Sequence, residues 1–185
     1  MPAAAVCDRL AQLEGFGFMW TPGQMTIATS FSPQGVAFQG EIMTTPISCY
    51  EIVLWAAHLS GVAGNTIWNV IDDLFRANAQ HNQPNNNSIR GALKRYYFNS
   101  LAPVRIVGTY PSKGDLVLFS AAGIDYIAHV ALATGNGYEL LSLGHNGPAN
   151  APAHGVALQL ERLTINDILT VNPLLTRVEF GTPPW

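Results

Sequence analysis

The 185-residue chain is short of charge: Asp, Glu, Lys and Arg make up 11% of it, well below the usual quarter. Its solubility must therefore rest on neutral polar side chains, which are densest from His81 to Ser88. Nine Lys and Arg against twelve Asp and Glu give a formal net charge of −3, and the nearest approach to a basic cluster is Arg90, Lys94 and Arg95. A nucleic-acid binder gathers many cations on one face to displace counterions, so no nucleic-acid partner is expected. Cysteine is scarce as well, with Cys7 and Cys49 alone, too few for a disulfide framework in a domain that does not need one. There is no Cys-x-x-Cys pair and the five histidines show no His-x-x-x-His spacing, which argues against a zinc site. Neither a metal nor a cofactor is expected. The N-terminus lacks a basic segment followed by an apolar one, so no secretory signal is read there. Every apolar run is broken too early for a membrane span.

What is present is a 48% hydrophobic content, enough to give one domain over residues 1–185 a sizeable core. Val6 to Leu13 reads as a short helix. Met25–Phe31 and Gly35–Ile42, around Ser32-Pro33-Gln34-Gly35, read as a hairpin. Cys49 to Leu59 carries Ile52, Val53, Ala56 and Leu59 at helical spacing and stops at Ser60-Gly61. Further helices are expected over Thr66–Ala79 and from Ser88 to about Asn99, with an extended piece over Ala102–Ile106. From Gly114 onward the chain turns to strands: Asp115–Ser120, Tyr126–Thr134, Tyr138–Leu143 and Val156–Leu163. The Gly135-Asn136-Gly137 turn is a strong hairpin signal. Helices first and an antiparallel sheet afterwards predict an α+β domain.

Chemistry concentrates on Cys49. Pro46 ends an extended piece, Ser48 offers a cap, and the thiol stands where a helix begins. The positive end of the helix dipole and unpaired N–H groups would lower its pKa toward neutrality and could hold an oxyanion. The bland alternative is a small buried residue. His129 lies among strand-forming residues, in Tyr126-Ile127-Ala128-His129-Val130-Ala131-Leu132-Ala133. An imidazole there must be hydrogen-bonded, either as a core histidine satisfied by a carbonyl or as a general base. A third group to orient the ring is sought on the next strand, in Leu141-Ser142-Leu143-Gly144-His145-Asn146. Ser142 and His145 fall near His129 across the hairpin, and Asn146 slightly beyond, with His145 the preferred member.

A helix-initial Cys, Lys113-Gly114-Asp115-Leu116-Val117-Leu118-Phe119, His129-Val130-Ala131-Leu132, Gly135-Asn136-Gly137 and a strand ending at His145 together resemble the NlpC/P60 superfamily of papain-like cysteine hydrolases. Val156–Leu163 resembles the closing strand of the same sheet, and the resemblance covers about residues 46–163. It implies helices packed on a central antiparallel sheet with the nucleophile at a helix N-terminus. It also implies an amidase or endopeptidase that cuts bacterial cell-wall (peptidoglycan) peptides. On it Cys49 matches the nucleophile, His129 the base and His145 the orienting residue. Asp115 matches the start of the first core strand, where a strand-end carboxylate is the simpler role.

The chain departs from the family in reading Ser48-Cys49-Tyr50-Glu51 where Asp-Cys-Ser-Gly is usual. It also sets His129 80 positions after Cys49. The same pattern occurs in secretion-system effectors. That implies a toxin made in the cytoplasm, exported by a dedicated system to the periplasm of a target cell and countered by an immunity or inhibitor protein. A papain-like deamidase or acyltransferase acting on a protein is the alternative that the residues leave open. His58, nine residues along the Cys49 helix, stands about 13 Å away at 1.5 Å per residue and is too distant to be the base. His154 has no evident role, and the tryptophans Trp20, Trp55, Trp68 and Trp185 read as packing. Glu51 suits the helix dipole yet opposes a thiolate.

Overall fold

The structure, a computed structural model, describes residues 2–21, 27–69, 102–103, 109–121, 127–144 and 155–185. Helix α1 (Pro2–Ala11) forms because Ala3, Val6, Cys7 and Leu10 recur at helical spacing, and these are its buried residues. Strand β1 (Gly17–Met19) follows, then a single 3-10 turn at Ala28–Phe31 and helix α2 (Glu51–Leu59). Residues 64–69 are helical. The remaining elements are β2 (Ala102–Pro103), β3 (Leu116–Ala121), β4 (His129–Ala133), β5 (Glu139–Leu143), β6 (Ala157–Thr164), α3 (Ile165–Val171) and β7 (Leu175–Gly181).

The strands align in the order β1-β6-β5-β4-β3-β7-β2, and each neighbouring pair is antiparallel. Central β4 is buried at every residue, because both faces of the sheet are covered. On one face Leu116, Leu118, Val130, Leu132, Leu141 and Leu143 pack with Val6, Leu10, Ile52, Val53 and Ala56 of α1 and α2. On the other Val117, Phe119, Ala131, Ala133 and Leu140 pack with Ile165 and Ile168 of α3 and Val178 and Phe180 of β7. Each fully buried leucine on these strands contributes about 1.5–3 kcal/mol relative to exposure. The alternation of these two sets along each strand decides which side a functional residue reaches.

Glycine is required at the entry to β3. Gly114 has φ +89°, and a Cβ there would come within 2.2 Å of the Ala3 carbonyl oxygen. The β4–β5 hairpin turns through Gly135 (φ 83°) and Gly137 (φ 60°), the left-handed backbone that glycine adopts without strain.

The α+β reading and the four strands expected after Gly114 hold, each within a few residues. The hairpin expected at 25–42 does not form over its described residues. Gly35 N–H does donate to Ser32 O at 2.9 Å, so the turn is real, but its flanks are a 3-10 turn and irregular chain. The amides of Ile27 and Ala28 are drawn instead to the Glu51 carboxylate. Two C-terminal elements were not anticipated. Helix α3 starts at a capping box in which Thr164 and Asp167 bond each other reciprocally, and β7 inserts between β3 and β2. The expected helix over Ser88–Asn99, and most of Thr66–Ala79, lie outside the described residues.

Candidate active site

The approach to Cys49 is fixed from the sheet edge. Trp20 and Ile47 form a parallel bridge, with Ile47 N–H donating to Met19 O and Thr21 N–H to Ile47 O, both at 2.9 Å. Ile52 N–H then donates to Ser48 O at 3.4 Å, so the helical turn already begins at Ser48. Regular α-helix starts at Glu51, with Tyr50 at the N-cap and no side-chain cap bond there. Cys49 therefore occupies the turn leading into α2, as its sequence context predicts, and is partly buried.

Its thiol is not depressed toward neutrality, which corrects the expectation drawn from the helix dipole. Burial pushes it up to about 11, against hydrogen bonds from the backbone N–H groups of Val130, of Cys49 itself and of Tyr50, while the Glu51 charge pushes the same way as burial. Desolvation of the charged form outweighs the three donors. The same donors fix the position of the sulfur. It lies against the amide of Val130, the peptide that joins His129 to Val130.

His129, the first residue of β4, is 3% exposed. It pairs directly with Phe119 across β3, and the two rings lie 5.8 Å apart. Strand alternation sets its side chain with Ala131 and Ala133, on the face that carries Phe119 and α3. Val130 and the Cys49 sulfur belong to the face covered by α1 and α2. Thiol and imidazole thus approach the first peptide of β4 from opposite pleats, at the end of the strand. The nucleophile–base pair that the NlpC/P60 resemblance implies would set the two groups face to face.

Ser142 holds one nitrogen of the ring. The β4–β5 register of Leu132↔Leu141 and Ala133↔Leu140 carries Ser142 onto the same pleat as His129. Its Oγ lies 2.7 Å from His129 Nε2 and 2.6 Å from Gly144 O, and Ser142 is 1% exposed. A carbonyl oxygen can only accept, so the single hydroxyl proton goes to Gly144 and Nε2–H must be the donor to Ser142. A neutral ring then has its basic lone pair on Nδ1. Ser142 was one of three residues that the sequence offered for this place. His145, the preferred one, and Asn146 lie outside the described residues.

Other residues take structural roles. Asp115 accepts from Ser112 N–H at 2.8 Å and from Thr182 Oγ1 at 2.7 Å, tying the entry of β3 to the chain after β7. His58 is exposed near the far end of α2, its ring 5.3 Å from Phe31 and 5.4 Å from Trp55. Trp185 packs against the core. His154 lies outside the described residues. Among the described residues no group of three or more His, Cys, Asp or Glu is placed to hold a metal ion, and no helix is long and apolar enough to cross a membrane. Compared with known proteins, the chain matches no family model, no curated protein and no solved structure.

Proposed function

We propose that the chain is a cysteine hydrolase of amide bonds, with Cys49 as nucleophile, His129 as general base and Ser142 as the group that orients the ring. The single observation that carries this reading is the position of the Cys49 sulfur, on the amide that follows His129 at the end of β4. Ser142 adds to it by fixing the tautomer that a base on Nδ1 requires.

Because burial keeps the thiol protonated at neutral pH, the proton leaves as the sulfur attacks rather than beforehand. For this step the imidazole must reach the thiol proton past the end of the strand, directly or through one water, while a carbon–sulfur bond forms at the substrate carbonyl. The amides of Cys49, Tyr50 and Val130, which already bond the thiol, are the donors proposed to meet the oxyanion. The imidazolium returns the proton to the leaving amine, and water then hydrolyses the thioester, releasing the acid and restoring the thiol.

Cell-wall peptides are the proposed substrate class, on the strength of the NlpC/P60 resemblance in the sequence. An exported effector acting in the periplasm, opposed by an immunity protein, belongs to the same proposal. Purified peptidoglycan incubated with the protein tests it. Wild type should release new muropeptides, and Cys49→Ala should release none above background. Absence of cleavage by wild type, where a control amidase works on the same wall, would count against the substrate class. Equal cleavage by Cys49→Ala would remove Cys49 as nucleophile.

A further inference from the structure

Glu51 is a charged residue with 0% exposure, and a carboxylate in such a place must be met by donors. Two of its donors lie on each oxygen. Oε1 accepts the amides of Ile27 at 3.0 Å and Ala28 at 3.3 Å. Oε2 accepts the Ser48 amide at 3.0 Å and the Ser48 hydroxyl at 3.4 Å. Ile27 is the N-cap of the 3-10 turn, and Ser48 opens the turn into α2. One carboxylate therefore caps two turns that are distant in sequence, and Cys49 is the next residue along from one of them. Burial pushes the Glu51 carboxyl up, and the hydrogen bonds oppose that rise.

We infer that Glu51 is a positioning residue for Cys49: by binding the Ile27, Ala28 and Ser48 amides on its two oxygens, it fixes the turn that lays the sulfur against the Val130 amide. Its relevance to catalysis rests on the cysteine-hydrolase reading, but its effect on the thiol does not. Glutamine cannot replace it. An amide has one acceptor oxygen, so whichever way it turns, its NH₂ opposes one pair of donors. The turn then slackens on that side, and the thiol loses the burial that keeps it protonated.

The test is the pH profile of Cys49 alkylation by iodoacetamide, mapped by peptide mass spectrometry, in wild type and Glu51→Gln. The expected result is a midpoint moved down in Glu51→Gln and, at pH 8, alkylation faster by at least about threefold, since the thiolate is the reacting form. Loss of the Glu51 charge also lowers the midpoint, so Ser48→Ala, which keeps that charge, decides between positioning and charge. Cys7 serves as the internal control and should stay slow. An unmoved Cys49 profile would overturn the inference. So would a parallel rise at Cys7, which would mean general loosening of the fold. Ser48→Ala removes one hydroxyl donor and leaves the other three, so it stays informative should Glu51→Gln fail to fold. It should move the midpoint the same way by less, and an unmoved midpoint in the folded variant would also overturn the inference. Alkylation needs no substrate, so a negative result here is distinct from failure to cut cell wall.

Discussion

Cys7 and Cys49 lie against the same central strand and meet opposite chemistry there. Cys7, buried on α1, donates its S–H to the carbonyl of Ala133 at 3.4 Å, at the last residue of β4. Cys49 meets the amide of Val130, near the first. Each thiol also meets a backbone amide that favours its thiolate, Gly114 for Cys7 and Val130 for Cys49, so on the strand itself the two differ in the carbonyl that Cys7 alone is tied to. Burial raises both thiols. The difference lies in what waits beside them. Cys49 is one peptide from a buried histidine whose other nitrogen is tied to Ser142, while the groups acting on Cys7 include the surface charges of Lys113, Asp8 and Arg162. The two thiols in this fold thus differ by their place along β4 more than by the helices that carry them.

The comparison can be broken most forcefully through Leu132, which is fully buried and shares the pleat of Val130 between the two sulfurs. Leu132→Ala should cost about 2–5 kcal/mol of stability, as for other leucine truncations in close-packed cores, measured by urea unfolding. A loss below about 1 kcal/mol would mean that this face of β4 is not packed as described. A smaller effect is expected in alkali. The folded-state thiol of Cys49, at about 11, keeps its proton at pH values where an unfolded cysteine, near about 8.5, has lost it. Its contribution to stability is therefore complete below the unfolded value and is lost as pH rises toward the folded one. Between pH 8 and pH 10.5 the wild type should lose about 2–3 kcal/mol more than Cys49→Ala does. Parallel losses in the two proteins would show that Cys49 is not held protonated by burial.

Much of the sheet was legible because strands β3 to β6 announce themselves through apolar runs and the Gly135-Asn136-Gly137 turn. Cys49 and His129 were legible for a related reason, since a thiol after a Pro-Ile-Ser approach and an imidazole inside an apolar strand are both out of place locally. The hairpin at 25–42 misled because strand propensity is local, whereas the fate of the Ile27 and Ala28 amides is decided by Glu51, more than twenty residues away. The sequence favours His145 because Gly144 and the Asn-Gly-Pro turn flank it, and His145 lies outside the described residues. A strand alternates with period two, and the observed pairing is what shows that Ser142 shares the pleat of His129. The same alternation places the ring and the sulfur on opposite pleats, which motif order cannot reveal. Helix α3 had a readable signal in Thr164-Ile165-Asn166-Asp167, a capping box pattern.

The account turns on whether His129 serves Cys49 across the end of β4. The most direct measurement is the rate of Cys49 alkylation by iodoacetamide at pH 7 in wild type and His129→Ala. The imidazole should take the thiol proton as sulfur attacks, so His129→Ala should react at least about tenfold more slowly, with Cys7 unchanged. Equal rates in the two proteins, or a faster reaction in His129→Ala, would contradict the pairing.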